Sequence, residues 1–206
     1  MSLSSCMNQP VFLHVGCGPK RQDRTPFANK DWREIRLDID QSVQPDLVGT
    51  MTDISAVASE SMDAVFSSHN IEHLYPHELP IALAEFKRVL KPDGFVLITC
   101  PDLQSVCARV ANDQLVDPAY MSGMGPITPL DILYGHRASM QAGNLYMAHR
   151  CGFTKKVLSG TFLESGFNSG VMVRPQHFDL WCLAVKNGGS SDQISSLCKQ
   201  FFPQSN

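Results

Sequence analysis

The chain has 206 residues, of which 43% are hydrophobic and 18% are charged. This is the composition of a globular protein, and it excludes disorder or low complexity for the bulk of the chain. Lysine and arginine number 17 against 20 acidic residues, and the net charge of −3 provides neither a basic surface for nucleic acid nor a polybasic membrane anchor.

The first predicted element is a buried strand over Val11–Val15, which runs into the tight turn Gly16-Cys17-Gly18-Pro19. Residues 1–10, ahead of the main folded unit, are expected to be a flexible lead. Short apolar runs predict three further strands in this part of the chain: residues 34–39, Leu47–Val48 and residues 62–67.

The clearest helix is predicted over residues 77–90, where apolar side chains recur at helical spacing. Lys91-Pro92-Asp93-Gly94 is expected to end it, because proline cannot continue a helix and glycine accepts a positive φ. The apolar run 95–100 then indicates a central parallel strand. A second helix is predicted over Leu103–Ala111.

Residues 113–150 are rich in glycine, proline and methionine and show no period, so they are predicted to form an insertion or lid over the sheet edge. A helix over Lys155–Glu164 and two closing strands, residues 170–173 and 180–186, are predicted to follow, with a reversal at Pro175. Residues 188–206 are expected to be a loose tail. The alternation of strands and helices predicts one α/β domain over residues 11–187, built on a parallel sheet.

The glycine turn is the first candidate binding feature. Glycines after a buried strand let a ligand approach the backbone, with the N–H groups expected to point outward. Asp38 stands at the end of the next strand, where a carboxylate can bind both hydroxyls of a ribose. The third glycine of the dinucleotide pattern is missing, which favours a nucleoside with a smaller polar tail. Alone, the pattern is weak, and an ordinary tight turn fits it better.

Four segments together resemble class I S-adenosylmethionine-dependent methyltransferases of the type 11 group. They are residues 13–20 (LHVGCGPK), 37–40 (LDID), 62–74 (MDAVFSSHNIEHL) and 85–102 (EFKRVLKPDGFVLITCPD). The resemblance implies a Rossmann-like, doubly wound, mostly parallel sheet with an antiparallel closing strand. It also implies methyl transfer from S-adenosylmethionine, with S-adenosylhomocysteine as the product.

The resemblance also implies cofactor-binding residues. Those for the methionine, ribose and adenine portions and the transferred methyl are Gly16, Cys17, Gly18, Asp38, Ile39, Asp53 and Ser68, with His69 beside the methyl. In this scheme Asp38 holds the ribose hydroxyls, Ile39 packs on the adenine and Asp53 lies near its amino group. His14 departs from the pattern, because many members carry an acid there.

Methyl transfer mainly requires proximity and sometimes a base. His69 and His136 are the candidate bases, because imidazole titrates near neutral pH. Arg137 could bind a carboxylate or phosphate of the acceptor, and Tyr75, Tyr134 and Tyr146 could shape the acceptor pocket. Each also has a structural interpretation: capping a turn, a surface ion pair or half-buried packing.

His69-Asn70-Ile71-Glu72-His73 matches the inverted zinc-protease pattern H-x-x-E-H. A hydrolytic zinc site would need both histidines on one helical face and a third ligand. The motif begins directly after a strand, and Pro76 follows closely, so no metal is expected.

The sequence thus predicts S-adenosylmethionine-dependent methyl transfer to an oxygen or nitrogen of a small molecule. The alternative is a cofactor-binding or degenerate module that acts through protein partners, and a nicotinamide enzyme is a third interpretation. Neither nucleic acid nor membrane is an expected partner, and the apolar residues 120–127 suit a homodimer interface or a lid. Seven cysteines without C-x-x-C spacing or a secretory signal favour the cytoplasm.

Overall fold

The computed structural model describes residues 9–28 and 30–203, so most of the predicted lead lies outside the described residues. Seven strands form one sheet in the order β3-β2-β1-β4-β5-β9-β8, and β6 and β7 form a separate hairpin. The strands are β1 Val11–Val15, β2 Arg33–Asp38, β3 Leu47–Val48, β4 Met62–Ser68, β5 Leu90–Pro101, β6 Tyr120–Ser122, β7 Gly125–Ile127, β8 Asn168–Arg174 and β9 Asp179–Val185.

The sheet is mostly parallel. Strand β1 pairs in parallel with β2 and β4, β2 with β3, and β4 with β5. Strand β9 is antiparallel to both of its neighbours, β5 and β8. The predicted fold class, with its single antiparallel closing strand, is therefore confirmed.

Six α-helices are present in the described part of the chain: α1 Leu79–Val89, α2 Leu103–Ala111, α3 Pro129–Tyr134, α4 Arg137–Gln141, α5 Lys155–Glu164 and α6 Ser191–Phe201. Asp102 caps α2, because its carboxylate accepts the N–H groups of Gln104 and Ser105. The predicted helices over α2 and α5 are confirmed. Within the described ranges no helix has the length and apolarity needed to cross a membrane.

Helix α1 ends in a different way from the one predicted. The segment 91–94 belongs to the irregular first part of β5 rather than to a turn, and Gly94 does not have a positive φ. A Cβ at Gly94 would lie 3.1 Å from the backbone oxygen of Asp63. Glycine is therefore required for the close approach of two strands, which corrects the predicted reason.

The two faces of the sheet carry different cores. One face packs against α1 and α5 through aliphatic side chains such as Leu83 and Leu158. The other face is largely aromatic: Phe27 stacks on Phe12 with ring centroids 4.1 Å apart, and Phe201 of α6 lies 4.9 Å from Phe27. Helix α6 thus closes the aromatic face.

The predicted loose tail is wrong over Ser191–Phe201. Ser190 caps α6 by accepting the N–H of Gln193, and Ile194 and Phe201 are buried against the sheet. The described part of the connection from β1 to β2 contains no α-helix, so α6 covers the area that a crossover helix would otherwise occupy.

Residues 113–150 contain more regular structure than expected: the β6–β7 hairpin, α3, α4 and a 3₁₀ turn over Leu145–Met147. Thr128 and Asp131 form a reciprocal capping box at the start of α3. Because these elements are only three to six residues long, their periodicity could not be detected in the sequence.

Candidate functional site

A cavity of about 300 Å³ opens at the carboxyl ends of β1, β2 and β4. The strand order reverses between β1 and β4, and the crevice at such a reversal is where open α/β sheets bind ligands. We call it the β1–β4 cavity; its lining is Val15, Gly16, Gly18, Pro19, Asp38, Ile39, Asp40, Val43, Gly49, Thr50, Met51, His69, Asn70, His73, Asn144, Tyr146, Met147 and Arg150. A wider depression of about 650 Å³ beside Lys87 and Lys186 contains none of the predicted site residues.

The glycine turn has internal partners for its N–H groups. Gly16 and Cys17 both donate to the carbonyl oxygen of Leu37, at 2.8 and 3.2 Å, and Gly18 donates to Asp38 Oδ2 at 2.7 Å. The expectation that these groups point outward is therefore wrong. With its donors engaged the turn cannot bind a pyrophosphate as a dinucleotide-binding loop does, which counts against a nicotinamide cofactor.

Gly16 is required by its surroundings as well as by its backbone. Its φ is +64°, and a Cβ at this position would overlap the side-chain amide of Asn70. Asn70 in turn lies on the turn after β4 and lines the cavity. The packing of Asn70 on Gly16 therefore fixes the two loops on either side of the strand reversal.

Arg36 organises this half of the cavity, and sequence analysis missed it. Its guanidinium is buried and donates to four backbone carbonyl oxygens, those of Lys20, Gln44, Gly18 and Val43. These carbonyls belong to the glycine turn and to the loop after β2. An arginine in a short alternating strand gives no sequence signal of this role.

Asp38 and Ile39, the residues predicted to bind the ribose and the adenine, both line the cavity. The carboxylate of Asp38 accepts the N–H of Gly18 at 2.7 Å and that of Asp40 at 2.9 Å. Each carboxylate oxygen has a second lone pair, so both can still accept a hydroxyl from the cavity. Ile39 is 43% exposed and provides an apolar surface in the same cavity.

His69 lies in the cavity on a strained backbone. Its φ is +51°, which is uncommon for a residue other than glycine, and its N–H donates to the carbonyl oxygen of Thr99 at 2.8 Å. The side chain is 46% exposed, with Nδ1 3.6 Å from the buried Glu72 carboxylate. Such strain is concentrated at functional sites.

Three predicted cofactor residues do not line the cavity. Cys17 lies behind the turn, and burial raises the pKa of its thiol to about 11. Asp53 is exposed and accepts the Ser55 N–H, and hydrogen bonding to Ser55 lowers the pKa of its carboxyl group. Ser68 makes a 2.8 Å hydrogen bond to the hydroxyl of Thr99.

The predicted acceptor residues also lie outside the cavity. His136 pairs with Ser139 at 2.7 Å, Arg137 forms a 2.7 Å ion pair with Asp131, and Tyr134 is exposed.

The insertion instead contributes Asn144, Tyr146, Met147 and Arg150 to the cavity. The Arg150 guanidinium lies 4.6 Å from the centroid of the Tyr75 ring. Of these four residues, only Tyr146 was predicted from the sequence, as a tyrosine that could shape the acceptor pocket.

His14 has a structural partner. Its Nδ1 lies 2.7 Å from Glu34 Oε1, and its ring packs against Phe66 on the aromatic face, away from the cavity. Because His14 stands where many members of the family carry an acid, β1 contributes no carboxylate to the cavity.

Residues 13–98 match a family model described as a methyltransferase domain. No curated protein matches the chain. The structure is similar to Burkholderia thailandensis 1,6-didemethyltoxoflavin-N1-methyltransferase with bound 1,6-didemethyltoxoflavin and S-adenosylhomocysteine, at 18% identity over 87% of this chain and 72% of that chain, with a TM-score of 0.54.

Two further structures match this chain over a larger share of their own length. One is an S-adenosylmethionine-dependent methyltransferase from Methanosarcina mazei, at 16% identity over 88% of this chain and 94% of that chain, with a TM-score of 0.58. The other is a chain in the complex of the Haloferax volcanii Trm112 methyltransferase activator with a methyltransferase, at 12% identity, 87% of this chain, 83% of that chain and TM-score 0.58. The resemblance stated from the motifs and the class I methyltransferase fold are confirmed, and the domain match supports S-adenosylmethionine as the cofactor.

Proposed function

We propose that this protein transfers a methyl group from S-adenosylmethionine to an oxygen or nitrogen atom of a small molecule. The observation that carries the proposal is the β1–β4 cavity, which joins the glycine turn, Asp38 and His69 at the strand reversal. The match of residues 13–98 to a methyltransferase domain supports the same conclusion.

The residues of the cavity fit the cofactor by their chemistry. The nucleoside requires a hydroxyl acceptor and an apolar surface for the base, which Asp38 and Ile39 provide. It requires no phosphate cradle, and the engaged N–H groups of the glycine turn provide none. Arg150 supplies a cation for a carboxylate, on either the methionine portion of the cofactor or the acceptor.

The acceptor side is formed by His69 and Tyr146. Bound S-adenosylmethionine would supply an electrophilic methyl group to a lone pair of the acceptor oxygen or nitrogen, and the electron pair of the broken carbon–sulfur bond would go to sulfur. The proton of the acceptor passes to His69 or to water. The chain holds the two reactants in line, which is the main contribution to such a reaction.

Calorimetric titration with S-adenosylmethionine and S-adenosylhomocysteine tests the cofactor site. We expect binding by the wild type, and a loss of about 2–4 kcal/mol, or roughly 30- to 1,000-fold in affinity, in Asp38→Ala, because two hydroxyls lose a charged acceptor. Asp117→Ala, an exposed aspartate outside the cavity, is the matched control. Asp53→Ala measures whether the second predicted carboxylate contributes.

The outcomes separate the two candidate functions. If folded protein bound neither ligand, methyl transfer would be overturned and a module that acts through protein partners would be favoured. Binding of NAD without S-adenosylmethionine would restore the nicotinamide interpretation. His69→Gln should lower the turnover of a methyl acceptor and leave cofactor affinity unchanged.

A further inference from the structure

We propose that Glu72, His73 and His149 bind one divalent first-row transition metal ion, with Zn²⁺ as the first candidate. One donor atom from each of these residues lies within 4.8 Å of the other two. We call these three residues the Glu72 cluster. The proposal goes beyond methyl transfer and reverses the expectation from the sequence that no metal binds.

The carboxylate of Glu72 requires a partner that the described side chains do not supply. It is 1% exposed, and both of its oxygens lack a hydrogen bond. His69 Nδ1 approaches to 3.6 Å, which is too far for a hydrogen bond. A buried carboxylate without a partner is costly and indicates an ion.

The hydrogen bonds of the two histidines leave the correct nitrogen available. His73 Nδ1 lies 3.0 Å from the carbonyl oxygen of Ala148, and His149 Nδ1 lies 2.8 Å from that of Ile132. A carbonyl oxygen can only accept, so both Nδ1 atoms carry the proton. The Nε2 lone pairs are therefore free, and this backbone support of the far nitrogen is usual for metal-binding histidine.

The backbone around the cluster is already tied together. The N–H groups of Arg150 and Cys151 both donate to the carbonyl oxygen of Glu72, at 2.8 and 3.2 Å. Glu72 and His73 lie on a 3₁₀ turn after β4, and His149 comes from the end of the insertion. The cluster thus differs from the sequence motif, because Glu72 takes the place of His69 and His149 comes from a distant part of the chain.

The donor set determines the kind of metal. Two imidazoles and one carboxylate suit Zn²⁺ and related ions, and they leave a coordination position open. In a tetrahedral site the donors lie about 3.4 Å apart, so binding draws these side chains in by roughly 1 Å. Cys151 does not belong to the cluster, and its thiol donates to the Ile71 carbonyl oxygen instead.

The metal would fasten the insertion to the sheet. His73 lines the β1–β4 cavity, and so do Asn144, Tyr146, Met147 and Arg150, which flank His149 in sequence. Joining His149 to the turn after β4 therefore holds one wall of the cavity in place. This role does not depend on which reaction the cavity catalyses.

The test uses the full chain without a histidine tag, stripped with a chelator, reloaded with ZnCl₂ and desalted. Mass spectrometry of the metal should find about one Zn²⁺ per chain, and Glu72→Gln and His149→Gln should lower the affinity by about a hundredfold or more. The control variant His77→Ala, in which an exposed histidine of the same segment is replaced, should bind Zn²⁺ with wild-type affinity. Co²⁺ should give visible ligand-field bands without a thiolate band.

Thermal unfolding gives a second readout. Zn²⁺ should raise the melting temperature of the wild type and of His77→Ala, but not that of Glu72→Gln. Without metal, Glu72→Gln should be at least as stable as the wild type, because it removes a buried unpaired charge. A wild type that retains no Zn²⁺, or a Glu72→Gln variant that binds it as tightly, would overturn the proposal. Since no methyl donor is present, its failure is independent of the cofactor site.

Discussion

Replacing Arg36 with methionine tests the role of the buried guanidinium in the β1–β4 cavity. The substitution keeps an unbranched apolar stem and removes all four hydrogen bonds to carbonyl oxygens. A hydrogen bond to a charged group contributes about 1.5–3 kcal/mol, whereas burying a cation costs several kcal/mol. From these terms we expect the free energy of unfolding to fall by about 3 kcal/mol, and the melting temperature to fall by about 6–12 °C.

Ligand affinity should fall with stability, because Gly18 and Val43 both line the cavity and both accept a hydrogen bond from Arg36. Urea unfolding and titration with S-adenosylhomocysteine measure the two effects, and we expect at least about a tenfold loss of affinity. Arg33→Met, at an exposed position on the same strand, is the control and should change stability by less than about 0.5 kcal/mol. An Arg36→Met protein with wild-type stability and affinity would refute the organising role of this side chain.

Three further predictions concern stability and reactivity. Phe201→Ala should lower the free energy of unfolding by about 3–5 kcal/mol in urea, since the ring is buried in the aromatic face, whereas Gln200→Ala, an exposed neighbour, should have little effect. Burial disfavours the charged form of Asp131, but hydrogen bonds from Arg137 and Thr128 outweigh it and lower the pKa of Asp131. The wild type should therefore be more stable than Asp131→Asn above about pH 4, and this difference should shrink as the pH falls further. Thermal unfolding that depends on pH in the same way in both proteins would contradict this. With iodoacetamide, mass spectrometry should find Cys107 modified before Cys17, and Cys17 protected until unfolding, because Cys107 is exposed and the pKa of Cys17 is raised to about 11.

The sheet could be predicted because its central strands contain strong apolar runs separated by turn residues. The residues of the glycine turn, Asp38 and His69 could be placed together for a related reason: parallel strands end at the same edge of a sheet. The pattern around Lys91-Pro92-Asp93-Gly94 located the end of α1, but periodicity could not show that these residues continue into a strand. Helix α6 was missed because its apolar positions are sparse in a polar segment.

The contribution of the insertion to the site could not be predicted from the sequence. Its helices are too short to show a period, and which of its side chains reach the cavity depends on how it packs. His136 and Arg137 were conspicuous in the sequence, yet they pair with Ser139 and Asp131 outside the cavity. Arg150 and His149 had no motif around them. Hydrogen bonds between their segment and Glu72 and His73 bring them to the turn after β4.

The aromatic face has a consequence for synthesis on the ribosome. Helix α6 follows every strand of the sheet in the chain, yet it covers Phe27, which lies between the first two strands. A nascent chain that has completed the sheet therefore still exposes a large aromatic surface until α6 leaves the exit tunnel. Folding of this face must be late and must join residues distant in sequence, which slows folding and favours aggregation. We expect the nascent chain to bind chaperones during that interval and to release them once α6 docks.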